Sequence, residues 1–176
     1  MLENFEEIEV KGLADNTFQL LDEDWMLITA GTIDSFNTMT ASWGSFGFLW
    51  HKPTATIFIR PHRFTLSFVE SNDTFTLSFF AEKYRQILNY CGQHSGRNVD
   101  KVQETGLVPL QLPSGNIGFE QARLILECKK MYADELRADK FIDKEIIHRI
   151  YPSKDFHKMF IGEISHCYIQ NEKLKK

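Results

Sequence analysis

What this 176-residue chain lacks narrows its chemistry before anything it contains does. Its three cysteines, Cys91, Cys128 and Cys167, are odd in number and far apart, with no C-x-x-C pair. A zinc site and a disulfide framework are therefore not expected, and reduced thiols in a cytoplasmic protein are the simplest expectation. The six histidines show neither H-x-H nor H-E-x-x-H spacing, so metal catalysis has no support. There is no G-x-S-x-G, no evident Cys–His nucleophile pair, and no G-x-G-x-x-G after a strand. No apolar run approaches the ~18–20 residues that cross a bilayer. The opening MLENFEEIEV is acidic and has no apolar core of a leader, so neither a membrane span nor a signal peptide is expected. Repeats and low-complexity linkers are missing too, and a single domain over residues 1–176 is expected.

What the chain has in excess is aromatic. Fifteen Phe, five Tyr and three Trp make up 13% of residues, within 43% hydrophobic and 25% charged. That is a globular composition, and aromatic bulk favours pleated surfaces, hence a β-rich core. The net charge of −4 argues against a nucleic-acid binder, including a small single-strand-binding barrel that stacks bases on its aromatics. The charge is unevenly spread. Residues 1–24 hold eight acids against Lys11 alone, whereas residues 37–101 hold seven Lys/Arg against four Asp/Glu. A mildly basic middle suits one small anion, such as a phosphate, better than a polyanion.

Trp25–Gly31 reads as a buried strand and Met39–Trp43 as a second, followed by a loop carrying Gly44, Gly47 and Pro53. Thr54–Arg60 is β-branched and alternating, ended by Pro61. Phe64–Val69 and Thr74–Phe80 are expected as strands joined by a turn at Glu70–Asp73. The period then changes. Tyr84, Ile87, Leu88 and Cys91 predict a short helix over Glu82–Cys91, and Asn98–Glu104 a second. Residues 105–120 read as loop and Ala122–Lys130 as strand, with Leu124, Leu126 and Cys128 on one face. Phe160–Glu163 and Cys167–Gln170 are expected as closing strands, while residues 131–157 show no clear period. Six or more strands with only short helices point to a mainly β, small-barrel fold.

Three clusters can carry chemistry. In Asn37-Thr38-Met39-Thr40-Ala41-Ser42-Trp43, the spacing of two puts the Thr40 and Ser42 hydroxyls on one face, with Met39 and Trp43 opposite or flanking. Such an edge can hold a phosphate or a flat polar heterocycle, although Thr-rich strands are also common packing elements. In Arg60-Pro61-His62-Arg63-Phe64-Thr65, two guanidinium groups flank a proline, with a hydroxyl close behind. Arginine forks match phosphate oxygens, though paired surface arginines at a strand end are frequent. In His94-Ser95-Gly96-Arg97-Asn98-Val99-Asp100-Lys101, a small-residue loop with two cations leads toward a helix start. The same residues also suit a plain capped connection.

In this order, from about Trp25 to Ile169, the clusters resemble the flavin reductase-like family of FMN-binding split-barrel proteins, which includes the flavoredoxins. The residues carrying the resemblance are Asn37–Trp43, Arg60–Thr65, Ser95-Gly96-Arg97 with Asp100-Lys101, and the late Gly162-Glu163. The resemblance implies a Greek-key-like split β-barrel and a homodimer with one FMN per subunit near the interface. It implies that Asn37–Trp43 contact the flavin ring and phosphate chain. Arg60, Pro61, His62, Arg63 and Thr65 would line the flavin and bind its phosphate. Ser95, Gly96, Arg97 and Lys101 would approach from the loop, and His157 from the C-terminal side. It further implies an NAD(P)H-dependent flavin reductase or, alternatively, a flavoredoxin-like electron carrier. No nicotinamide-binding signature identifies the donor. A flavin brings its own hydride chemistry, so the missing catalytic motif is expected of such a protein.

Overall fold

The computed structural model describes residues 2–171. Among them ten strands are seen: β1 Phe5–Ile8, β2 Met26–Thr32, β3 Ser35–Ala41, β4 Gly44–Leu49, β5 Lys52–Ile59, β6 Thr74–Phe79, β7 Pro109–Gln111, β8 Ile117–Phe119, β9 Leu124–Glu135 and β10 Lys158–Gln170. The helices are short: α1 Thr17–Gln19, α2 Thr65–Ser71, α3 Arg85–Gln93, α4 Lys101–Thr105 and α5 Glu145–Ile150. The main sheet runs β3-β2-β6-β9-β10-β5-β4, with β1 added on β10, and all its pairs are antiparallel. β7 and β8 form a separate ribbon.

The sheet curls on itself. Gly44 of β4 lies against Met26 of β2, and Phe46 of β4 meets Phe79 of β6 with ring centroids 6.2 Å apart. β2 is apolar on both faces for a reason. Met26, Ile28 and Ala30 enter one core with Ile57, Phe75, Leu77 and Leu126, while Leu27 enters a second with Leu88, Cys91 and Ile125. A strand buried on both sides reads as a continuous apolar run. Truncating Leu77 or Leu126 to alanine in such a core costs about 2–5 kcal/mol. All three cysteines are free and buried. Burial pushes the thiols of Cys91 and Cys167 up to about 11, so they are poor nucleophiles.

Several expectations are corrected. Phe64–Val69 is not a strand: α2 occupies Thr65–Ser71, so the expected Glu70–Asp73 hairpin turn is the end of this helix. Its buried residues are Thr65, Leu66 and Val69, a helical spacing that six residues cannot separate from alternation. The segment after Trp43 is not a loop but β4, joined to β5 by Trp50-His51 with φ of 52° and 61°. This is a tight two-residue connection made without glycine, so the usual hairpin signature was missing. Residues 105–120 contain the β7–β8 ribbon. The two closing strands are one, β10, which continues through a bulge between Ile164 and His166. Gly162 in β10 is a packing residue, because a Cβ there would meet Cys128 and the Phe75 ring at 3.0 Å. Glu163 pairs with Lys52 at 2.5 Å on the surface.

Candidate functional site

β3 is one end of the sheet path, and its run into β4 passes along a cleft. The cleft, of about 570 Å3, is lined by Met39, Thr40, Ala41, Ser42 and Trp43, by Arg60, His62 and Arg63, and by His157. Both side-chain sets of Met39–Trp43 therefore reach it, since an end strand also offers its free edge. Further along, a smaller hollow of about 210 Å3 is bounded by Asn37, Arg63, Thr65, Ser95, Gly96 and Lys101. The two share Met39, His62, Arg63 and Gln93, so they form one trough with a wide end and a closed end.

Helix α3 builds the closed end. Asp100 caps α4 by accepting from the backbone N–H groups of Val102 and Gln103, which sets Lys101 at the first helical position. The Lys101 ammonium is buried and donates to the carbonyls of Thr38 and Cys91 at 2.7 and 2.9 Å. Arg63 donates to the Gly92 carbonyl at 2.7 Å, and the Thr40 hydroxyl to the Leu88 carbonyl at 2.5 Å. Of these acceptors the Thr38 carbonyl lies on β3, while those of Leu88, Cys91 and Gly92 lie toward the α3 C-terminus, the negative end of that helix. Carbonyl dipoles only partly offset two charges, and no carboxylate among the described residues forms an ion pair with Arg63 or Lys101. Burial holds the Lys101 pKa down to about 8, aided by Arg63 nearby, and burial also lowers that of Arg63. Such cations favour any anion that reaches them.

The loop at this end is fitted closely. Asn37 donates to the Thr65 hydroxyl at 2.7 Å. A Cβ on Gly96 would fall 2.0 Å from Asn37 Oδ1, so only glycine lets the loop backbone approach.

The wide end is built differently. Arg60 does not share a target with Arg63. It donates to Asp155 at 2.5 Å and to the Ile150 carbonyl at 3.0 Å, and it lies over the Tyr151 ring at 5.3 Å. Arg60 holds the Asp155 carboxyl below the usual carboxylate range. The expectation that both arginines hold one phosphate is thus replaced by two separate roles. His157 is buried, its Nδ1 is 2.8 Å from the Tyr151 hydroxyl, and its ring lies 5.0 Å from that of Trp43. Burial, reinforced by Arg60, holds its pKa down to about 4, so the ring is neutral near pH 7.

Three of the expected residues stand outside the trough lining. Thr38 is turned inward, its hydroxyl 2.9 Å from that of Thr29. Pro61 shapes the turn and is exposed. Arg97 donates to the His62 carbonyl and covers the Phe64 ring, tying the two loops together. Sequence reasoning missed Trp25, Phe58, Leu88, Asn89 and Gln93 in the lining. The helical spacing of α3 could have placed Leu88. Trp25, at φ 63° and stacked under Arg85, carried no sequence signal.

The molecule is thus a barrel bearing a trough with buried cations at its closed end and aromatic residues at its mouth. The chain belongs to the flavin reductase like domain family, whose model matches residues 21–176. No curated protein is significantly similar to it in sequence. Among solved structures it is similar to an FMN-binding domain of flavin reductase-like enzyme from Shewanella baltica, with 16% identity and a TM-score of 0.69, covering 95% of this chain and 78% of that one. It is also similar to flavoredoxin of Desulfovibrio vulgaris, with 20% identity and a TM-score of 0.65, covering 96% and 77%. A third is the NADH:FAD oxidoreductase SgcE6 of Streptomyces globisporus, with 16% identity and a TM-score of 0.62, covering 84% and 81%. At these identities the likeness is one of fold, and that fold is the split barrel of flavin reductase-like proteins. No helix among the described residues is long and apolar enough to cross a membrane.

Proposed function

We propose that the chain is an FMN-dependent oxidoreductase, and within that class a flavin reductase that draws hydride from NAD(P)H. The observation carrying this reading is the pair of cations, Lys101 and Arg63, set without a carboxylate at the closed end of a flat-walled trough. An orthophosphate monoester on a planar ring system matches both ends at once. Arg63, Lys101, Thr65, Ser95 and the Gly96 backbone would hold the phosphate. Met39, Thr40, Ala41, Ser42 and Trp43 would line the ring, with His62 and His157 beside them. When bound, the flavin supplies two-electron hydride chemistry, so the protein needs to bind, orient and exclude water. The neutral His157, fixed by Tyr151 and set beside Trp43, contributes an uncharged wall there.

Purified protein incubated with FMN and then desalted should retain the visible flavin absorbance; a colourless product would sink the proposal. NAD(P)H consumption with added FMN then separates a reductase from a carrier like the flavoredoxins, which would bind flavin without turnover. The exposed Phe48, Leu49 and Trp50 of the β4–β5 hairpin, with Tyr132 alongside, support the further proposal of a homodimer seated on this face.

A further inference from the structure

Beside the trough lies a second hollow, of about 560 Å3, with a different chemistry. Its apolar lining is Phe18, Leu21, Trp43, Phe58, Leu136 and Tyr151. It shares Ser42, Trp43 and Phe58 with the trough, so these three residues form a common wall. Phe18, 82% exposed, and Trp43, 46% exposed, leave ring surface in water. Phe18 also precedes residue 21, where the family match begins, so the hollow is partly built by a segment outside that match.

The charge pattern selects what can enter. The trough lining includes Arg60, His62 and Arg63, whereas the hollow has no cation in its lining and one carboxylate, that of Asp22. Arg60, whose guanidinium lies over the Tyr151 ring, is already met by Asp155. The Tyr151 hydroxyl is engaged with His157, so the phenol adds chiefly ring surface. A phosphate or sulfonate placed here would meet Asp22 with no compensating charge. Aromatic walls from Trp43, Phe58 and Tyr151 favour a flat ring.

We infer that this hollow binds a small planar ring compound that carries no negative charge, as a second ligand beside the trough, and that it rejects phosphorylated or sulfonated ones. Its place as a substrate site rests on the flavin reading above; its binding chemistry does not. A nicotinamide nucleotide or a second FMN, both anionic, belongs elsewhere.

Equilibrium dialysis of the full chain against N-phenyl-1-naphthylamine and its anionic analogue 8-anilinonaphthalene-1-sulfonate tests this. The amine should bind saturably, one per chain, with an affinity unchanged by saturating FMN. The sulfonate should bind at least tenfold more weakly. Leu136→Asp should weaken the amine at least tenfold while leaving FMN retention as it was. The exposed Asp22→Arg should strengthen the sulfonate at least tenfold at one saturable site per chain, in a variant that keeps the cooperative melting transition of the unaltered chain, because partly unfolded protein also takes up this sulfonate. Displacement of the amine by FMN, equal binding of both probes to the unaltered chain, or no saturable binding because a second copy covers the hollow would each overturn the inference. If the chain retains no FMN yet binds the amine as described, the flavin reading falls and this site stands.

Discussion

The two ends of the trough each carry an arginine from the same Arg60–Thr65 segment, and the structure uses them in opposite ways. Arg60 is spent on Asp155, the Ile150 carbonyl and the Tyr151 face, so the wide end is electrically closed. Arg63 meets only a carbonyl and sits near Lys101, so the narrow end keeps positive charge. The lesson is that a cation marks an anion site only when the fold withholds its carboxylate. Residue type alone does not distinguish the two cases.

The strongest way to break this contrast is Arg63→Ala. It should weaken FMN binding by about 1.5–3 kcal/mol, the worth of a lost charged hydrogen bond, while riboflavin binding stays unchanged. Titration with both flavins decides it, and an equal loss for the two would move the phosphate elsewhere. Next in size is Gly96→Ala. The new methyl group forces Asn37 to turn away from Thr65, and FMN affinity should drop by about 1–3 kcal/mol. A variant that binds FMN normally would show that the loop is free to shift.

Arg60→Ala should leave the FMN-to-riboflavin preference intact and lower the melting temperature instead, because Asp155 loses its partner. This pair stabilises the fold above the ordinary carboxylate range. Its contribution disappears as pH falls through the lowered folded pKa of Asp155, so the Tm gap between Arg60→Ala and the parent should close at low pH. Loss of flavin discrimination in this variant would erase the distinction between the two ends.

The smallest effects are in pH. Lys101, at about 8 when folded, is charged below that value, so FMN affinity should be level up to about pH 8 and decline above it. Lys101→Met should flatten that decline. His157 binds its proton less readily folded, at about 4, than unfolded, at ~6.5. The unfolded chain therefore takes up protons first, and stability should fall as pH drops from about 6.5 to about 4. His157→Gln should shrink this slope in thermal melts; an unchanged slope would mean His157 is free to ionise in the fold.

Much of this was legible in residue pattern. The strands expected at Trp25–Gly31 and Thr54–Arg60 match β2 and β5 except at Trp25 and Arg60, which fall just outside them, and Leu124, Leu126 and Cys128 do share one core-facing side of β9. The helix near Tyr84–Cys91 is α3, and the Asn37–Trp43 and Arg60–Thr65 clusters do meet across one trough. What was not legible depended on partners distant in the chain. β1 is an acidic FEEI segment, a strand because β10 offers it an edge. β4 shows mostly exposed residues and a glycine-free turn. α2 was misread because its apolar spacing fits a strand until β2 and β3 supply a surface for a helix to pack on.

By itself, the sequence determined the material: a mildly basic middle, aromatic bulk, strands that must bury both faces, and no catalytic motif beyond what a bound cofactor could supply. Only the tertiary structure decided which cations stay uncompensated. That choice rests on Asp155, 95 residues from Arg60, folding back to one arginine, while the end of α3 offers the other only carbonyls. Electrostatic pairing acts through space over a few ångströms, and a linear sequence does not record those distances.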